Sequence, residues 1–496
     1  MADYDAIIVG AGNGGLTASL GLARAGLKTL LLEQHNIPGG CATSFVRGRF
    51  EFEVALHQLS GLGTEEFPGP LRSTLGELGV MDKLDFVRME NLYRVVMPQS
   101  LDISLKADRT VAITALKERF PKEALNIDRF FDLLYEYCMQ WVSVMIMRDS
   151  EASKDKYPHY FKYTLKTTQE VFDEFFQDPQ LQTTVGIYWS YLGLPPSKLP
   201  FGEFAILLWA YIEFKPWHLK GGSQALSNTL LNTYLDAGGE VRFNCGAKKI
   251  KVSEGNVTGV ITEDGDEITT NRVVSNAGTV TTYVDLIGPQ HVPERRLREL
   301  GARTVGTSFV SLFIGFDCEP QDMGIDHTTN FIATNTDADH TYMTAKTLNA
   351  PEYALFTCYD VDDPEFSPKG TCQASVVALS YAEPWLKVSP MQYFETKNDY
   401  AEKMLALLTQ VFPDIRNHIE EIDVGTPLTH MRYLGHPGGA AYGFDQYAKD
   451  TDLFMERKSP INGLFHVGAW SGGGGFQPTL MSGHSTARAI VKTMKG

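Results

Sequence analysis

A chain of 496 residues exceeds the size at which one hydrophobic core stops growing, so two domains are expected. Hydrophobic residues make up 43% and charged residues 21%, a globular mixture that excludes a disordered chain. Lys and Arg number 44 against 60 Asp and Glu; the net charge of -16 repels phosphate backbones and argues against a nucleic-acid partner.

The six cysteines (Cys41, Cys138, Cys245, Cys318, Cys358 and Cys372) show neither C-x-x-C nor zinc spacing, and none of the twelve histidines pairs at metal-ligand spacing. Free thiols in a reducing compartment and no metal centre are therefore expected. Asp3 and Asp5 precede a strand, unlike a signal peptide. The longest apolar runs, such as Phe204–Ile212, fall short of the ~20 residues of a spanning helix. A cytoplasmic protein is expected, with peripheral membrane contact left open.

Tyr4–Val9 is an apolar run suited to a buried parallel strand. It leads into Gly10-Ala11-Gly12-Asn13-Gly14-Gly15, a G-x-G-x-x-G match, then a helix over Leu16–Ala25 stopped by Gly26. Lys28–Glu33 is a second buried strand ending in an acid about 20 residues beyond the glycines. Alone the glycine pattern is weak; inside a complete βαβ unit it reads as a dinucleotide fingerprint. Gly10 permits the tight turn, Gly12 lets backbone approach a pyrophosphate, and Gly15 allows close helix–strand packing. The helix N-terminus offers free N–H groups to the phosphates. Glu33 accepts hydrogen bonds from ribose hydroxyls, which disfavours a 2′-phosphate.

Pro38-Gly39-Gly40-Cys41-Ala42-Thr43-Ser44-Phe45 follows directly. Here the chain resembles the phytoene desaturase, carotenoid isomerase and retinol saturase superfamily of FAD-dependent oxidoreductases, whose second glycine pair runs beside the flavin pyrophosphate and ribityl chain. Arg49–His57 is similar to that family's F-D-x-G-x-H stretch, closest to the retinol saturase version, with Glu53 for Asp and Ala55 for Gly.

Further along, Asp128–Met147 carries apolar residues at three-to-four spacing, a helix in a largely helical first insert. Gly186–Phe214, broken by Pro195, Pro196 and Pro200, is the most aromatic and least charged stretch. It reads as ordinary core or as the wall of a tunnel for an apolar substrate, the resemblance raising the second. Lys220-Gly221-Gly222 opens a helix, followed by strand patterns through Ile250, Val260 and Ile268 and by Val273–Ala277. This resembles the family's helix, β-meander and return strand. Ser308–Phe316 and Gln373–Tyr381 read as strands and Tyr400–Val411 as a helix. His436–Gly443 resembles the segment that approaches the flavin from the lid. Gly463–Trp470, the glycine run Gly472–Gly475 and a final helix from about Leu480 resemble the closing turn, with Ala469 and Trp470 where many relatives place an acid.

The resemblance implies an α/β fold: a Rossmann-type FAD-binding domain of the three-layer ββα, glutathione-reductase-like kind, with a discontinuous α+β substrate domain. The FAD domain is expected from 1–65, 215–290 and 455–496, and the substrate or lid domain from 66–214 and 291–454. Expected cofactor contacts are Gly10, Gly12, Asn13, Gly14, Gly15, Glu33, Gln34, Gly39, Gly40, Cys41, Ala42, Ser44, Ala247, Lys248, Asn276, Ala277, Gly468, Ala469, Phe476 and Gln477. His57, Glu53 and Tyr442 are candidates for proton handling. The implied activity is saturation, desaturation or isomerisation of carbon–carbon double bonds in a long apolar polyene. Amine oxidation and a non-catalytic flavin-bound carrier are the alternatives. Gly12→Val is expected to abolish FAD binding by blocking backbone approach to the pyrophosphate. A purified variant that stayed yellow at full stoichiometry overturns the phosphate-loop assignment.

Overall fold

The computed structural model describes residues 2–447 and 458–495; the domain boundary expected at 455 lies outside them. β1 (Ala6–Val9), α1 (Asn13–Arg24) and β2 (Thr29–Leu32) form the expected βαβ unit. Among the described residues they belong to a parallel sheet with strand order Leu464–His466, Val273–Ser275, β1, β2, Glu240–Arg242. Both faces are apolar, as a buried parallel sheet requires. Ala6, Ile8, Leu31 and Val274 pack under α1, the helix Gly222–Asp236 and the C-terminal helix Phe476–Lys495. Ile7, Val9, Leu30, Leu32 and Val273 pack against the antiparallel meander Ala247–Ser253, Asn256–Thr262, Glu267–Thr269. Meander, sheet and helices are the three layers.

The substrate domain holds a seven-stranded mixed sheet, in the order 419–425, 308–316, 372–380, 353–358, 329–333, 91–97, 101–106. The first insert is largely helical, and it also supplies two strands of this sheet: Asn91–Met97 and Leu101–Lys106 complete it, Asn91–Met97 pairing in parallel with Thr329–Ala333 from the second insert. The helix expected over Asp128–Met147 is α-helical over Ala124–Trp141 and widens to a π-turn at Val142–Ile146. Side chains alternate between the sheet's faces. Val310, Leu312, Val376 and Ala378 meet the helix Tyr393–Leu408, while Tyr93, Phe331, Tyr353, Leu355 and Leu379 face the helical lid that includes Phe201–Phe214.

The hairpin Ser44–Arg47/Phe50–Glu53 packs Phe50 and Phe52 against Phe313 of the substrate sheet and is held within the FAD domain by Glu53, which is 3% exposed. Its Oε1 accepts from Ala55 N (3.0 Å), Leu56 N (2.9 Å) and Ser223 Oγ (2.7 Å), and its Oε2 from Ser223 N (2.6 Å). The carboxylate thus caps the helix Gly222–Asp236, where free N–H groups and the positive dipole end favour an anion. Burial pushes its carboxyl up, against the lowering pull of these donors. Gly222 leaves room for it: a Cβ there would lie 2.7 Å from Glu53 Oε2. Glu53→Gln turns an amide N–H₂ toward existing donors and is expected to cost about 1–3 kcal/mol of stability. Its urea midpoint should fall while turnover per bound flavin is kept; an unchanged midpoint with lost turnover would make Glu53 catalytic.

Candidate active site

α1 begins hard against the carboxyl end of β1. A Cβ at Gly15 would lie 1.9 Å from Gly10 O, so no side chain fits there, and one at Gly12 would lie 2.6 Å from Asn276 Nδ2 and would have to displace that side chain. Gly12 is the N-cap and α1 has no side-chain cap, which leaves the first-turn N–H groups facing the crevice. Gly39 N donates to Ala11 O (2.8 Å), laying the second glycine pair beside the first. That loop is anchored from below, Ser227 Oγ donating to Ala42 O (2.6 Å) and Thr43 Oγ1 to Gln224 Oε1 (2.6 Å).

Glu33 is already engaged. Its Oε2 accepts from Ala11 N (2.6 Å) and its Oε1 from His35 N (2.8 Å), with burial pushing its carboxyl up against these donors. Each oxygen keeps a second lone pair, so Glu33 both clamps the loop and can still accept from a sugar hydroxyl.

The crevice opens into a cavity of about 2030 Å³. All the expected cofactor contacts line it except Gly15 and Lys248. Gly15 sits behind the crevice, against the backbone of Gly10. Lys248 is exposed in a strand whose register shifts between Ala247 and Lys249; Gly246 and Ala247 form the wall there instead. His57 and Tyr442 line the cavity, whereas Glu53 does not. His57 Nδ1 lies 3.4 Å from Tyr359 Oη. Burial lowers His57 to about 4, which keeps its ring neutral near pH 7, and pushes the Tyr442 hydroxyl well above its usual range.

Past Tyr442 the cavity runs between the lid and the inner face of the substrate sheet, lined by Tyr191, Leu192, Tyr211, Tyr353, Leu355, Val377 and Leu379. Gly186–Phe214 divides between core and cavity wall. Ile187, Tyr188, Trp189, Phe201, Phe204, Leu208 and Ile212 are core, while Glu203, Ile206, Leu207 and Ala210 present one helix face to the cavity at i, i+3, i+4, i+7 spacing. Gln58 holds these tyrosines together and escaped the sequence reading. Its Oε1 accepts from Tyr188 Oη (3.1 Å) and Tyr191 Oη (3.4 Å), its backbone O accepts from Tyr211 Oη (3.1 Å), and its Nε2 donates to Leu92 O (2.6 Å). Its place one residue after His57 was the only local signal.

Residues 14–491 match the family described as flavin containing amine oxidoreductase. The chain belongs to this family. It is 26% identical to all-trans-retinol 13,14-reductase of Danio rerio over 94% of this chain and 82% of that one. It is 23% identical to a chloroplastic prolycopene isomerase of Daucus carota, over 94% and 76%. A putrescine oxidase solved with putrescine bound shares the fold, with a TM-score of 0.66, 15% identity and coverage of 99% of both chains. This flavin oxidoreductase takes FAD, and the crevice suits it. Asn13 Oδ1, Trp470 Nε1 and both ring nitrogens of His466 belong to residues lining the cavity and are buried without a protein partner, the kind of group that a polar cofactor satisfies.

Burial also lowers His430 and His466 to about 4. With folded values below the unfolded 6.5, the unfolded chain binds the proton first. The contribution of these neutral rings is complete above about pH 6.5 and is lost as pH falls toward 4. Thermal midpoints of wild type and His57→Gln measured from pH 7 to pH 4.5 should show a shallower fall in the variant. Equal slopes would mean that His57 takes up its proton in the folded state as readily as in the unfolded one.

Proposed function

We propose that this FAD-dependent oxidoreductase saturates, desaturates or isomerises a carbon–carbon double bond in a long apolar polyene. The cavity carries the reading. A single ligand pocket spans roughly 300–1,000 Å³, and this one joins a dinucleotide crevice to a long, largely apolar branch. The names of the two relatives, a retinol reductase and a prolycopene isomerase, support it.

FAD would be held by the N–H groups of the first turn of α1, Glu33, the Gly39–Ser44 loop, the wall at Gly246 and Ala247, and the turn from Gly468 to Gln477. When bound it supplies hydride exchange with a substrate carbon. The chain's own residues do the rest. Tyr191, Tyr211, Tyr353 and the inner sheet face orient an extended substrate and exclude water. Tyr442 and His57 line the cavity, protonated and neutral respectively, and are the groups we assign to give and to take the proton; substrate binding has to offset the burial that opposes both transfers.

Among the described residues no helix is long and apolar enough to cross a membrane. Trp141, Met145, Ile146 and Arg148 line the cavity, and Ile146 is 63% and neighbouring Met147 74% exposed. Exposed apolar side chains beside an apolar branch suit substrate taken from a bilayer surface.

The same ring of tyrosines also suits a cationic amine, and the family's name favours that second reading. Photoreduced anaerobic enzyme is expected to be reoxidised by an apolar polyene, with little peroxide formed from an amine panel in air; the reverse pattern selects amine oxidation. Ala210→Trp should cut turnover of long polyenes roughly 10–100-fold at full FAD content. Wild type should float with phosphatidylcholine vesicles and the double variant Ile146→Asp/Met147→Asp should not. Failure of wild type to float removes the membrane docking and leaves the polyene chemistry standing.

A further inference from the structure

A hundred residues of chain separate Asp317 and Cys318 from His418, yet the substrate sheet brings them together at its outer end. None of the three lines the cavity. The strand Ser308–Phe316 ends immediately before Asp317, and the strand Ile419–Gly425 begins immediately after His418. The two pair antiparallel, with a register shift between Gly315 and Phe316, and Asp317 N donates to His418 O (3.0 Å) beyond the last pair. Strand end and strand start are thus fixed side by side. On that frame Asp317 Oδ1 lies 2.9 Å from His418 Nδ1, and Cys318 Sγ lies within 4.8 Å of both.

We infer that Asp317, Cys318 and His418 form a binding site for a zinc-class divalent cation, with a fourth position open to water. Ligand atoms around a tetrahedral zinc ion stand roughly 3.3–3.7 Å apart, so small side-chain rotations close the set. One sulfur, one imidazole nitrogen and one carboxylate oxygen favour zinc over magnesium or calcium, which prefer all-oxygen sites. The aspartate–histidine pair alone would be an ordinary surface contact. The half-buried thiol beside it adds almost nothing to that pair as a hydrogen-bond donor, but as a thiolate it is the strongest zinc ligand of the three. Side-chain exposures of 55% for Asp317 and 32% for His418 leave the ion a way in from solvent. On binding, the sulfur–metal bond replaces the S–H bond and the proton leaves to water.

The ion would act on the sheet. Among the described residues Ile419–Gly425 is an edge strand, paired on one side, and its far end, Asp423–Gly425, forms part of the cavity wall. Cross-linking its start to the neighbouring strand would hold that wall in register. Spacing in the sequence hides this group, because its members join through strand pairing.

The test uses full-length, FAD-loaded protein stripped with chelator and dialysed against zinc chloride. One zinc per chain is expected by mass spectrometry of the metal, with a higher thermal midpoint. Cys318→Ser and His418→Gln should each weaken binding by at least roughly tenfold and remove the rise in midpoint. X-ray absorption should show one sulfur near about 2.3 Å with nitrogen or oxygen near about 2.0–2.1 Å. Wild type that retains no zinc, or zinc that survives both substitutions, overturns the site. Should Cys318→Ser fail to fold, His418→Gln, on the half-exposed histidine, decides the matter through the same readouts.

Discussion

The closeness of α1 to the end of β1 is the constraint on which the rest depends. They meet because Gly15 has no side chain to strike the backbone of Gly10, and because Gly10 takes a positive φ of 93°. At Gly14 a Cβ would lie 2.8 Å from Gly468 N, and at Gly483 one would lie 2.0 Å from Gly14 O. The first turn of α1 is therefore pressed at once against its own strand, against Asn276 at the end of the return strand, and against the C-terminal helix. Three distant parts of the chain converge on one turn, and its N–H groups are what remain for a diphosphate. Thr17 Oγ1, donating to Leu480 O at 2.8 Å, ties the same helix to the last one.

Around that point, buried polar side chains set the geometry while apolar ones supply the bulk. Glu53 joins the hairpin to the N-terminus of the helix Gly222–Asp236, Gln58 collects three tyrosines, and Glu33 clamps the glycine turn. Each accepts two or more hydrogen bonds, as a buried polar group must to avoid a desolvation cost. The apolar layers are less particular: the inner face of the substrate sheet and one face of the helix Phe201–Phe214 stand apart and leave the cavity between them. The site is thus a gap between two well-packed bodies, positioned by a small number of polar anchors.

Much of this was legible in the residues. The βαβ unit, the glycine turn, the acid at 33 and the second glycine pair act over short stretches, where backbone conformation and strand periodicity decide the outcome. Even the overlooked strand Leu101–Lys106 carried its signal, since L-D-I-S-L-K alternates strictly and is buried on alternate residues. Its partner Asn91–Met97 carries apolar residues on both faces and resembles a short core segment, so its pairing with Leu101–Lys106 and Thr329–Ala333 defines it.

The sequence by itself determined the dinucleotide turn and an aromatic stretch, because glycine sterics, alternation and helix spacing are properties of neighbouring residues; the flavin fold was implied by the family resemblance of its motifs. Tertiary structure alone decided which aromatic residues face the cavity and that Glu53 caps a helix and stays out of the cavity lining. It also decided that Gln58 is a hub and that Asp317, Cys318 and His418 share a corner. Those roles are set by partners scores to hundreds of residues away in the chain. A side chain's chemistry is written in its type, but its partner is settled only when strands pair and helices pack.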